Sequence, residues 1–235
     1  SFEIFLTFYS IIVNGYGCEV MKKKLLALFL FCISILIGII ALKNYTIAID
    51  SYVYNIIIKL RSPFCDNIFK IVSLLFSTYA IIIYCIILLI ILKNKKYSYY
   101  VIFMMLSEAL INNVIKVIFR RPRPNNLALV IENTYSFPSG HIMAACIITY
   151  LIGNYIAKQY PTKKYLISSF EIIIILLVGI SRIYLGVHYF TDIIGAILIS
   201  IAIILIANDL EIFEKYINRG NKNDNKIRRN NIKWN

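Results

Sequence analysis

Met21–Leu42, MKKKLLALFLFCISILIGIIAL, sets three lysines in front of an apolar run that continues unbroken from Leu25 to Leu42. About 18 to 20 apolar residues in a helix cross the ~30 Å hydrocarbon core of a bilayer. A Lys-rich start before an apolar run also fits a signal peptide, but this run shows no small-residue cleavage site before Leu42. The stretch therefore reads as a transmembrane helix that stays attached. Upstream, Ser1 is not an initiator whereas Met21 has the context of a natural start, so residues 1–20 are expected to be a non-native or dispensable extension.

The same reading extends to five further apolar segments, 68–92, 99–119, 142–157, 165–180 and 190–207. The shortest, at ~24 Å of helix, needs neighbouring turns to reach across. Long Leu, Ile and Phe runs pair their backbone internally as helices, unlike the short alternating strands of a membrane barrel. The expected fold class is an all-α integral membrane protein with six transmembrane helices, forming one domain over 21–210 and followed by a polar, basic cytoplasmic tail at 211–235. Composition agrees, with 60% hydrophobic and 16% charged residues in 235.

A formal charge of +13 raises nucleic acid as a partner, yet the bases sit between apolar runs rather than on a folded basic face. Topology accounts for them. Lys22 to Lys24, the group Lys93, Lys95 and Lys96, the group Lys158, Lys163 and Lys164, and the tail all fall on one side of a six-helix count. The positive-inside rule makes that side cytoplasmic, together with both termini. Between the first two spans, residues 47–60 mix Asp50, Tyr52, Tyr54 and Lys59 with Ile and Val, a pattern for an amphipathic helix in the outer interface that Arg61-Ser62-Pro63 would end. The five cysteines have no paired spacing, so neither a disulfide framework nor a metal site is expected. Only two histidines occur, His141 and His188.

Both lie at helix ends on the outer side, among bases that the positive-inside rule does not call for: Lys116, Arg120, Arg121, Arg123 and Arg182. Singly, Lys116 and Arg182 could snorkel to headgroups. Beside two histidines, the cluster instead points to an anion. Pro138-Ser139-Gly140-His141 precedes a helix whose first N–H groups are unpaired and whose dipole favours negative charge. His188 and Asp192 are four residues apart, so on one face of a helix beginning near Val187 the carboxylate can accept a hydrogen bond from Nδ1–H and leave Nε2 as an unprotonated nucleophile. Taken alone, each motif is more often an ordinary capped helix start.

Together, Lys116-Val-Ile-Phe-Arg-Arg-Pro-Arg123-Pro124, Pro138-Ser-Gly-His141 and Ser181-Arg182-Ile-Tyr-Leu-Gly-Val-His188-Tyr-Phe-Thr-Asp192 resemble the three-part signature of the type 2 phosphatidic acid phosphatase superfamily. The resemblance implies a lipid phosphatase in which His188 attacks phosphorus, Asp192 orients it, and His141 serves as acid and base. It also implies that Lys116, Arg123, Arg182, the Ser139 hydroxyl and the Gly140 N–H hold the phosphate oxygens, with no cofactor and no metal. Arg120 and Arg121 fall outside the signature and are expected to contact headgroups. Glu108 and Asn112 share a face with Lys116, where Glu108, ~12 Å deeper, is expected to bond between helices.

The implied partners are a lipid phosphate or diphosphate and the membrane lipids, with no nucleic acid and the oligomeric state open. Bacterial undecaprenyl diphosphate phosphatases of this family commonly carry Asp where this chain has Gly140, which favours glycerolipid phosphates such as phosphatidic acid or phosphatidylglycerophosphate over polyprenyl diphosphates. Soluble haloperoxidases share the anion pocket but not this composition. A catalytically silent lipid-binding or transport protein is the non-enzyme alternative, although such relatives would be expected to lose His141, His188 or Asp192.

Overall fold

A computed structural model describes residues 15–124 and 128–209, so most of the expected extension at 1–20 and all of the tail at 211–235 lie outside the described residues. Among the described residues the chain is helical, without strands: α1 Gly15–Leu42, α2 Ile47–Ile57, α3 Pro63–Leu75, α4 Thr78–Ile91, α5 Lys95–Phe119, α6 Gly140–Gln159, α7 Lys164–Tyr184 and α8 Phe190–Asp209. Five stretches are long and apolar enough to cross a membrane, or six if α3 and α4 are counted as one broken span. The chain divides into two units, residues 32–200 and residues 1–31 with 201–235. Every residue of the candidate site belongs to the first.

Helix starts follow local chemistry. Ser62 accepts from the Cys65 N–H with Pro63 in the first turn of α3, and Asn94 accepts from the Tyr97 N–H to start α5. The amphipathic reading of 47–60 is realised as α2 and a 3-10 turn, Ile58–Leu60, ended at Arg61-Ser62-Pro63. Segment 68–92 departs from the single helix read in the sequence. It is two helices meeting at a 51° bend, because Phe76 leaves helical geometry and Ser77 caps α4 by accepting from the Ala80 N–H. The Ser-Thr pair inside an apolar run was the signal.

α6 is the buried centre, with Ile142 to Ile148 all enclosed, and it packs against α5 and α7; α7 also packs against α3. α5 is two-faced in the reverse of the usual soluble sense. Phe103, Leu106, Leu110, Val117 and Ile118 are exposed, while Glu108, Asn112 and Lys116 are buried. The loop entering α6 is pinned by Phe137, fully buried, whose ring lies against Gly38 of α1 and Gly195 of α8. A methyl group at Gly195 would clash with that ring, so glycine permits the close approach. Ser34 adds a hydrogen bond to the Gly195 carbonyl at 2.9 Å.

Candidate active site

Five parts of the chain bring charged or hydrogen-bonding groups to one place. The inner face of α5 delivers Lys116, and the loop after it delivers Arg123, Glu132 and Ser136. Ser139 caps α6, whose first turn carries Gly140 and His141. Arg182 comes from the last turn of α7, and His188 and Asp192 flank the start of α8. Lys116, Arg123, Glu132, Gly140, His141 and His188 line one cavity of about 540 Å³. The same cavity is lined farther in by apolar side chains of α4 and α5, among them Ile82, Ile86 and Met105.

His188 is almost wholly buried, and its Nδ1 lies 3.3 Å from Asp192 Oδ2. Asp192 is fully enclosed, and Oδ2 also accepts from the Ser136 hydroxyl at 2.5 Å and from the Tyr189 N–H at 3.0 Å. On the other side of the ring, Arg123 Nη1 lies 3.1 Å from Nε2. A guanidinium can only donate, so Nε2 must be the accepting nitrogen and Nδ1 must carry the proton toward Asp192. Burial, and then the positive charges of Arg123, Arg182 and Lys116, hold the His188 imidazole well below its usual pKa of 6.5. Both effects favour the uncharged ring, with its Nε2 lone pair turned toward a cation.

Three cations act on that imidazole, and each has hydrogen-bond partners in the protein. Lys116 donates to the Tyr135 carbonyl at 2.5 Å, and Arg123 donates to the Val187 carbonyl and to Thr134. Arg182, 1% exposed, binds Ser73 and Glu132, while Glu132 also lies 3.8 Å from Arg123. Snorkelling is thus not what Lys116 and Arg182 do. Among the described residues, two buried groups of the site find no hydrogen-bond partner, the Ser139 hydroxyl and Arg182 Nε. Orphaned buried donors are rare and costly, and a site built to receive an anion explains both. Among the described residues, no group of three His, Cys, Asp or Glu side chains could hold a metal ion.

The sequence model of the PAP2 superfamily matches residues 97–211, a stretch that contains every one of these groups from Lys116 to Asp192. Over that stretch, just under half of the chain, the sequence is similar to the PAP2 superfamily. Among curated proteins it is 40% identical over 92 residues to phosphatidylglycerophosphatase B of Bacillus subtilis (strain 168), covering 38% of this chain and 45% of that protein. It is 33% identical over 103 residues to human sphingosine-1-phosphate phosphatase 2, covering 41% of this chain and 25% of that one. The matches thus span less than half the length of either curated relative. Among solved structures, a transmembrane PAP2 type phosphatidylglycerolphosphate phosphatase from Bacillus subtilis superposes with a TM-score of 0.69 at 25% identity, over 80% of this chain and 96% of that one. Aquifex aeolicus LpxE gives 0.54 at 27% identity, over 68% and 93%.

Within this PAP2-like chain the geometry corrects three readings of the sequence. Arg121 does not face headgroups: it is 4% exposed and bonds Asp192 at 2.5 Å and Asp50 at 2.8 Å. The reason is the left-handed Arg120, φ 47°, which ends α5 and lets the next residue turn inward while Arg120 itself stays exposed. Glu108 makes no interhelical hydrogen bond among the described residues and instead lines the cavity; Asn112 makes that link, donating to the Pro138 carbonyl. α8 begins at Phe190, not near Val187, so Asp192 caps its own helix through the Tyr189 N–H while facing His188. Glu132, Ser136 and Asp50 were missed. No local pattern marks them, since each is joined to the site only by the folding of distant segments.

Proposed function

We propose that this chain is a multi-pass membrane phosphatase that hydrolyses a glycerolipid phosphomonoester, of the phosphatidic acid or phosphatidylglycerophosphate type, through a phosphohistidine. The observation that carries the proposal is His188 held between Asp192, 3.3 Å from Nδ1, and Arg123, 3.1 Å from Nε2, in a cavity that Lys116, Arg123 and His141 also line. Phosphate entering the site takes the N–H groups of Arg123 and so frees the Nε2 lone pair. Nε2 then attacks phosphorus as the bond to the lipid oxygen breaks. His141 gives that oxygen a proton, and Asp192 stabilises the imidazolium that forms on His188. Lys116, Arg123, Arg182, the Ser139 hydroxyl and the Gly140 N–H neutralise charge spreading over the three equatorial oxygens. In the second half, His141 takes a proton from water, water attacks phosphorus, the P–N bond breaks and phosphate leaves.

The names of the two curated relatives, each a phosphatase of a lipid phosphomonoester, support the substrate class. Gly140 supports it further, because a Cβ there would lie 3.1 Å from Asn112 Oδ1 and leaves no room for the Asp of polyprenyl diphosphate enzymes without a shift of Asn112. The deciding assay is phosphate release from phosphatidic acid, phosphatidylglycerophosphate and a polyprenyl diphosphate by purified protein in excess chelator. Release from the monoesters, undiminished by chelator, is the expected result. Loss of activity that Mg²⁺ restores would overturn the metal-free mechanism, and no release from any substrate would return the chain to a lipid-binding role.

The exposed apolar face of α5 fits lipid contact, and the lysine-rich turns fit the cytoplasmic side. The site then opens outward, with both termini inside. In a chain whose five native cysteines are replaced, Ile131→Cys, at a position 91% exposed in the loop before α6, should react with an impermeant maleimide on intact cells. Labelling only after permeabilisation would reverse the orientation.

A further inference from the structure

The two oxygens of Asp192 face different partners. Oδ2 meets His188, Ser136 and the Tyr189 N–H; among the described residues, Oδ1 meets only Arg121 Nη1, at 2.5 Å. Arg121 is itself clamped. Its second nitrogen lies 2.8 Å from Asp50 Oδ2, its first bonds Thr191 at 2.8 Å, and its guanidinium carbon stacks 4.0 Å above the Tyr189 ring. Asp50, on α2 and 3% exposed, uses four donors: Arg121, the Thr46 and Thr191 hydroxyls, and the Thr191 N–H in the first turn of α8. Each buried carboxylate is fully satisfied, and one guanidinium stands between them.

We propose that Arg121 and Asp50 are positioning residues of this active site, a second buried ion pair behind Asp192 that fixes which carboxylate oxygen meets His188 and makes α2 part of the catalytic assembly. Without Arg121, Oδ1 loses its partner, and Asp192 is free to turn as an ordinary helix cap on Tyr189. Without Asp50, Arg121 keeps Asp192 but loses the clamp that sets its angle. The charges have opposite signs, so their effects on His188 are opposite. Its surroundings are Lys116 from α5, Arg123 and Glu132 from the loop, His141 from α6, Arg182 from α7 and Asp192 from α8, with Arg121, Tyr189 and Asp50 behind. Removing the Arg121 cation leaves Asp192 more able to stabilise an imidazolium, and the His188 titration moves to higher pH. Removing the Asp50 anion moves it lower.

The test uses Arg121→Gln, Arg121→Lys and Asp50→Asn, read by lipid phosphate kinetics and by ¹⁵N-histidine NMR in detergent, where only two histidines give signals. Arg121→Gln should lower kcat by about ten- to a hundredfold, the range that partners orienting a functional imidazole commonly contribute. KM should stay within about threefold, because Lys116, Arg123 and Arg182 still hold phosphate. Arg121→Lys should recover part of the loss. The His188 midpoint should rise in Arg121→Gln and fall in Asp50→Asn, each by about half a unit, less than the 1–3 units of a directly adjacent charge. If both midpoints stay where they are in the parent, or kcat per folded molecule is unchanged in both Arg121→Gln and Asp50→Asn, the pair is only structural and the inference falls. Should Arg121→Gln fail to fold, Asp50→Asn and Arg121→Lys decide alone. The kinetic arm rests on the phosphatase reading; the NMR arm does not. A parent that hydrolyses no lipid phosphate would therefore sink that reading while the titrations still judge this one.

Discussion

His188→Ala is expected to bring phosphate release down to background, a loss of about 10⁶-fold, the scale on which removing a nucleophile acts in comparable buried sites. The attacking atom is gone, and the only other histidine, His141, sits in the first turn of α6 without a carboxylate partner of its own among the described residues. Packing is a separate matter, because His188 is 2% exposed and touches Arg123, Ser136 and Asp192. His188→Asn keeps a polar group near Asp192 and should lose activity as completely as the alanine variant, which isolates the nucleophile from the fold. In a rapid alkaline quench with phosphate-labelled lipid, the parent should retain label on the protein, since a phosphoramidate survives alkali. Neither variant should. Label retained by His188→Ala would place the covalent step elsewhere.

Most of the candidate site could be read from the chain because each part lies within a short segment. Lys116 and Arg123 are seven residues apart, Ser139 to His141 are contiguous, and His188 and Asp192 are separated by one helical turn. Hydrophobic run lengths likewise gave the helices, since the 1.5 Å rise and the bilayer thickness leave little choice, roughly 20 residues per crossing. What stayed hidden depends on segments meeting. Asp50 lies 71 residues from Arg121, and nothing in an amphipathic stretch says that its one acid points inward rather than to water. Arg121 was misread for a related reason: two adjacent arginines look alike in a list of residues, and only the left-handed backbone at Arg120 sends one out and the other in. Glu132 sits in irregular chain before α6, where no periodicity exists to read. The break at Ser77 is different again. Its capping signal is local, but a hydropathy window averages it away.

His141→Ala should separate acid catalysis from nucleophilic attack by its dependence on the leaving group. A glycerolipid departs as an alkoxide, whose poor stability makes proton delivery part of the barrier. General acids typically contribute about 10² to 10⁴ in rate, and a loss on that scale is expected with phosphatidic acid. An aryl phosphate departs as a phenolate that needs little help, so the same variant should form phosphoenzyme from it nearly as fast as the parent. Turnover would still be slow, because in the proposed mechanism His141 also deprotonates water in the second half. Single-turnover release of the phenol reads the first half alone, and steady-state release of phosphate reads both. The position of His141 suits this division, lining the same cavity as His188 from a different helix, with His188 on α8's approach and His141 on α6. An equal loss with both substrates in the single-turnover measurement would mean that His141 only binds phosphate, and the acid would have to be sought among the other cavity groups, Lys116 and Glu132 first.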